Sequence, residues 1–284
     1  MNMETQQFDH RLLRDHAFGI VAPGAELPPG IAVTPLVPRQ LAPSAHLMPG
    51  LIDLRALSGD RADALLEQLH GEHRAGAPPV VGLFAKTDAD AGTFARHWNA
   101  RQMVAPRPGT ASWLRLHDPR VLHQLLRMLT PGQRAALAGP ASAMKYWVAG
   151  VWMDHDFRDD MADPAPSGAM RWNWDRVERI GLINRALLAA AGDGAALHRQ
   201  GALAERLMAQ ARERHGLQDP ADLVEYATRG LRIGPEFDAH PSVAAAMRPA
   251  SGDDDSSLAD RLALIDDALW QDLRRMAPAG HGSE

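Results

Sequence analysis

Hydrophobic and polar positions along the chain fall into three regimes. Residues 1–50 show no sustained period. From residue 51, short apolar runs alternate with stripes at three- and four-residue spacing, and beyond about residue 170 only the stripes remain. Leu51-Ile52-Asp53-Leu54 reads as a short strand, and residues 60–74 as a helix with Leu65, Leu66 and Leu69 on one face. The apolar run from Val80 to Phe84 suits a strand covered on both sides. Residues 93–103 read as a helix that sets Phe94 and Trp98 one turn apart. Residues 113–117 alternate, with Leu114 and Leu116 on one face and Trp113, Arg115 and His117 on the other.

Cap chemistry sharpens the middle of the chain. Asp118 followed by Pro119 is a helix start, because the aspartate accepts an otherwise orphaned N–H and proline has none to lose. Leu122, Leu125, Leu126 and Leu129 then form one stripe. Thr130-Pro131-Gly132-Gln133 is a second start of the capping-box type. Further on, helices are expected over 174–191, over 195–215 with Gly216 as terminator, after Asp219-Pro220, and over 257–276 as one amphipathic piece. The fold class expected is therefore α+β or α/β, a small mixed N-terminal lobe followed by an all-helical C-terminal lobe.

Proline and charge set the expected boundaries. Residues 1–50 hold Pro23, Pro28, Pro29, Pro35, Pro38, Pro43 and Pro49, so an irregular segment without a central strand is expected there. The α/β domain is assigned to 51–152 and the helical lobe to 170–284, separated by a polar hinge rich in aspartate. The chain of 284 residues has a formal net charge of −5, with Lys86 and Lys145 as its only lysines. That balance argues against a broad nucleic-acid surface. The lack of cysteine excludes disulfides, thiolate metal sites and a cysteine nucleophile. With no signal-like h-region and no run of about 20 apolar residues, a cytoplasmic location and no membrane contact are expected.

Chemistry-bearing motifs are sparse. HExxH, Walker, GxGxxG and GxSxG patterns do not occur. His70 and His73 share a helix face, and Asp154, His155, Asp156, Asp159 and Asp160 cluster in the hinge; each reads either as a metal ligand set or as a solvated surface, and the second fits the lack of a matching partner. No catalytic residue, metal or cofactor is assigned. Trp147, Trp152, Trp172 and Trp174 flank the hinge, either as plugs of a seam or, for Trp152, Trp172 and Trp174, as anchors for a protein partner.

The run WLRLHDPRVLHQLLRMLTPGQRAALAGPASAMKYW carries a resemblance. With its apolar-Arg-apolar strand, Asp-Pro-Arg helix start, Thr-Pro-x-Gln start and Gly-Pro turn before a tryptophan, it resembles the type VI secretion effector chaperone, or adaptor, family (Tap/Tec-like), whose domain was long catalogued as one of unknown function. The signature falls on Arg115, Asp118, Pro119, Arg120, Pro140 and Trp147, with Val121, Leu122, Leu129, Gln133 and Gly139 between them. His117 departs from it, standing where an aromatic is common, and Pro78-Pro79 lacks the usual proline–aromatic pairing. The resemblance implies a non-enzymatic protein that binds an effector toxin and helps load it onto the VgrG or PAAR spike. For the signature residues a structural role is expected. Two other readings stay open: a hydrolase or transferase with a dispersed site using His117 or His155, and an immunity protein.

Overall fold

In the computed structural model the described residues are 8–105, 107, 109–162, 172–190, 199–248 and 256–276. The chain forms two compact units, Met1–Trp174 and Asp175–Glu284.

The first unit runs α1 (His10–Asp15), β1 (Phe18–Val21), β2 (Thr34–Pro35), β3 (Gly50–Asp53), α2 (Gly59–Arg74), β4 (Val81–Lys86), α3 (Ala91–Gln102), β5 (Met103–Val104), β6 (Ser112–Trp113), α4 (Pro119–Met128), α5 (Pro131–Ala138), β7 (Ala143–Val148), β8 (Val151–Asp156) and α6 (Arg158–Met161). Six strands make one sheet in the order β2-β3-β1-β4-β7-β8, and β5 and β6 make a separate ribbon. Every pairing is antiparallel, so of the two expected classes α+β is realised.

The period of two assigns the sheet's faces. The register aligns Gly19, Ile52, Phe84, Lys145 and Asp154 on one side. There Ile52, Phe84 and Trp152 join Leu65, Leu66 and Leu69 of α2 in one buried cluster. On the other side, Phe18 meets Phe94 of α3 with ring centroids 5.0 Å apart, and His123 of α4 reaches the Tyr146 hydroxyl at 3.2 Å. The result is helix, sheet, helix in three layers.

Two sequence expectations are corrected here. Residues 1–50 are not irregular throughout, because β1 is a central, fully buried strand bonded to both β3 and β4. The prolines begin only at Pro23, so residues 18–21 keep every backbone donor. The hinge likewise does not start at residue 153. β8 extends to Asp156 and α6 to Met161, and Asp160 is buried rather than solvated. Hinge residues 163–171 lie outside the described residues.

The second unit comprises α7 (Trp174–Val177, starting at the boundary residue), α8 (Ile180–Ala190), α9 (Gly201–His215), α10 (Pro220–Ile233), α11 (Pro241–Ala246), α12 (Leu258–Ala263) and α13 (Asp267–Met276). Helix α10 is central, packing against α8, α9, α12 and α13. Gly216 ends α9 at φ 66°, and Asp219 caps α10 with Pro220 in the first turn. The single helix expected over 257–276 is two. Asp266 accepts the Ala268 N–H at 2.9 Å, a cap signal inside the apolar stripe that restarts the helix. Residues 191–198, where α9 was expected to begin, lie outside the described residues. No helix of the described residues is long and apolar enough to cross a membrane.

Candidate functional site

The signature residues are spread over a strand end, a helix start and a tight turn, and Asp118, Pro119, Arg120, Pro140 and Trp147 are engaged within the fold. The Asp118 carboxylate accepts the Arg120 N–H at 3.0 Å and caps α4. Arg120 turns back on the same carboxylate, with its Nε and Nη2 donating at 3.0 and 2.8 Å. Burial pushes the Asp118 carboxyl up, but the hydrogen bonds and charge of Arg120 outweigh it and hold the carboxyl below its ordinary range. Pro119 packs over Gly82 of β4, where an added Cβ would stand 3.3 Å from the proline ring. Of these residues, Asp118 and Arg120 close the start of α4 on itself and Pro119 sets it against β4.

Its other end works the same way. The Pro140 carbonyl accepts the Thr87 hydroxyl at 2.7 Å. Gly139 has φ 60°, and an added Cβ would fall 2.2 Å from the His97 ring, whose Nε2 lies 2.9 Å from the Leu137 carbonyl. Only glycine fits that approach. Trp147 faces Trp152 across the β7–β8 hairpin and packs against the α2-side cluster.

Trp152 overturns its assignment as a partner-binding residue. It is 9% exposed and packs edge-on to Phe8 and tilted against Phe84, because its position on β8 faces α2. Trp172 and Trp174 are half-buried, with ring centroids 5.7 Å apart. Arg115 is exposed, while Leu114 and Leu116 turn inward as the alternation implied. The strand ladder there stops at Trp113, so the pattern persists without a sheet. His117 stacks on Trp113 at 5.4 Å, and its buried Nδ1 has no partner among the described residues. Burial pulls its pKa down to about 4; Asp118 opposes the shift and Arg115 adds to it.

His70 and His73 set their rings edge-on to Phe8 at 5.5 and 5.6 Å. Among the described residues, no group of three or more His, Asp or Glu side chains is arranged to hold a metal ion.

Two buried carboxylates were not singled out for these roles by sequence reasoning. Asp160 accepts from Arg134 Nε at 3.0 Å on both oxygens and from Nη2 at 2.5 Å, and takes a contact from His155 Nε2 at 2.8 Å. This ties α5, α6 and β8 into one knot. In the second unit, Asp238 accepts from the Tyr226 hydroxyl at 2.6 Å and contacts His215 Nε2 at 2.7 Å. The tyrosine comes from the Leu-Val-Glu-Tyr-Ala run of α10 and the aspartate from the Gly-Pro-Glu-Phe-Asp-Ala-His-Pro run that follows it.

These groups place histidine beside aspartate, but in each case Arg or Tyr shares the carboxylate, so the arrangement locks elements together. Among the described residues, large apolar side chains left at the surface are Val33, Leu47 and Met161 in the first unit and Leu188, Leu264 and Met276 in the second.

Residues 36–136 match the model of a family described as a domain of unknown function (DUF4123). The match spans β3 through most of α5 and contains Arg115, Asp118, Pro119 and Arg120. No curated protein and no solved structure matches the chain.

Proposed function

We propose that this protein is a non-enzymatic adaptor of the Tap/Tec-like kind, which holds a type VI secretion effector in the cytoplasm of the producing cell and helps load it onto the VgrG or PAAR spike. The observation that carries the reading is the family match over residues 36–136, on the same stretch whose signature resembles that adaptor family. The geometry supports it in a specific way. Asp118, Arg120, Pro140 and Trp147 are engaged within the chain, so the signature builds a scaffold, and binding energy comes from other surface. Interfaces of ordinary size need about 1,200–2,000 Å² in total, which a unit of this size can supply.

The test is co-expression of the full chain with the proteins encoded beside it, followed by purification on a tag carried by this chain. A stoichiometric complex with a toxin supports the reading. Capture of no toxin, or capture that abolishes the toxin's own enzymatic activity, contradicts it, the latter pointing to an immunity protein.

A further inference from the structure

The six-stranded sheet has two edges of different character. β2 is two residues long and one of them is Pro35, which leaves little backbone to pair. β8 is six residues long, contains no proline and keeps an unbroken register with β7 from Val148 opposite Val151 to Ala143 opposite Asp156. Natural edges are usually blunted by shortness, proline, a bulge or charged side chains, and of these β8 has only the charges of Asp154 and Asp156.

The hairpin turn fixes which backbone groups of β8 face outward. Ala149 and Gly150 have φ of 50° and 92°, the two-residue turn in which the flanking pair, Val148 and Val151, exchanges both backbone hydrogen bonds. Alternation then directs the N–H and C=O of Val151, Met153 and His155 toward β7, and those of Trp152, Asp154 and Asp156 away from it. The Phe157 N–H, donating to the Ser142 carbonyl at 2.9 Å, continues the inward set. Among the described residues no other strand pairs with β8, and the outward groups make no backbone hydrogen bond.

Side chains beside that edge state what it would accept. On one face stand the half-buried Val151 and Met153. On the other stand the exposed carboxylates of Asp154 and Asp156, with exposed Asp159 just beyond. Lys145 pairs with Asp154 at 2.7 Å and Arg158 pairs with Asp156, so these three carboxylates exceed the two cations by one charge. A second copy of this chain fits poorly, since β8 laid antiparallel on β8 sets aspartates beside aspartates. An extended segment with basic residues on one face and apolar residues on the other is complementary.

We propose that β8 is the edge on which the effector docks, by adding an extended segment of alternating basic and apolar residues as a further strand. This inference rests on the adaptor reading. The experiment uses the full chain co-expressed with the toxin encoded in the neighbouring reading frame. Asp154→Pro removes one outward donor and leaves the β7 ladder intact, because proline is tolerated where an edge N–H faces solvent. Asp154→Ala removes the carboxylate and keeps the donor. The expected result is that D154P lowers toxin capture about tenfold or more, and D154A less than about fivefold. Equal losses in the two variants assign the contact to the carboxylate and overturn strand pairing. Undiminished capture by D154P overturns the edge and leaves the adaptor reading standing, whereas a wild-type chain that captures no toxin removes both. If D154P does not fold, hydrogen exchange on the wild-type complex decides. New protection at Trp152, Asp154 and Asp156 supports the proposal, and unchanged exchange at those amides overturns it.

Discussion

Arg120 closes onto Asp118, two residues before it, so that one carboxylate caps helix α4 through a backbone N–H and holds a guanidinium at 3.0 and 2.8 Å. A pair satisfied from within a single turn has little left to offer a partner. Asp118→Ala should cost about 0.5–2 kcal/mol, and Arg120→Ala, with its side chain 58% exposed, no more than about 1 kcal/mol. Urea denaturation reads both. Toxin capture should fall only as far as the folded fraction falls, and abolished capture at unchanged stability would make the pair a contact site.

Histidine burial sets a pH window. Burial lowers His117 to about 4 and also lowers His16 and His97, while an unfolded histidine titrates near about 6.5. As pH falls from about 6.5 to 4, the unfolded chain therefore takes up protons that the native chain refuses. Stability is complete above that window and declines through it. His117→Phe should remove on the order of 1–3 kcal/mol of that decline. Urea midpoints measured between pH 7 and pH 4 (about, spanning the histidine range) should show a shallower slope for the variant, and superimposable slopes count against it. Below that window the carboxylates take over. Asp118 and Asp160 are held under their ordinary range against the upward push of burial, so their contribution vanishes as pH falls through their folded values.

The Asp160 knot should be the costliest polar feature to break in the first unit. Asp160→Asn strips the counter-charge from Arg134, whose side chain is 22% exposed, and the expected loss is about 2–4 kcal/mol. Replacing both partners by apolar residues should cost less than the single change. Chemical denaturation of the two variants beside the unaltered protein checks this, and a neutral D160N contradicts it.

Much of the fold was legible because its signals are local. Asp118-Pro119, the Thr130–Gln133 capping box, Asp219-Pro220 and Gly216 each act within a few residues, and each stands where it was read. What was missed depends on distant partners. Four residues, Phe18–Val21, carry no period long enough to read, and they become a central strand only through β3 and β4. β8 looked like a linker because aspartates occupy its exposed positions, although its alternation was present in the sequence. Asp160 finds Arg134 across 26 positions, which no cap or spacing rule reaches. Trp152 reads in the sequence either as a plug or as an anchor, and its burial follows only once the sheet shows which face it takes.

The second unit offers an independent check on its own core. Tyr226→Phe leaves the buried Asp238 carboxylate without its 2.6 Å donor, at a cost of about 1–3 kcal/mol. Calorimetry should show the loss in the transition of the helical unit. A shift in the transition of the other unit instead would contradict the assignment of this network.

The measurement that bears most directly on the adaptor reading is secretion from a strain in which this gene alone is deleted. On the adaptor reading, what the chain contributes is binding energy toward one cargo. The account predicts that one effector disappears from the secreted fraction while the tube protein is still released, and that the full-length chain restored in trans brings the effector back. Normal secretion of every effector, or loss of tube release together with all cargo, would contradict it.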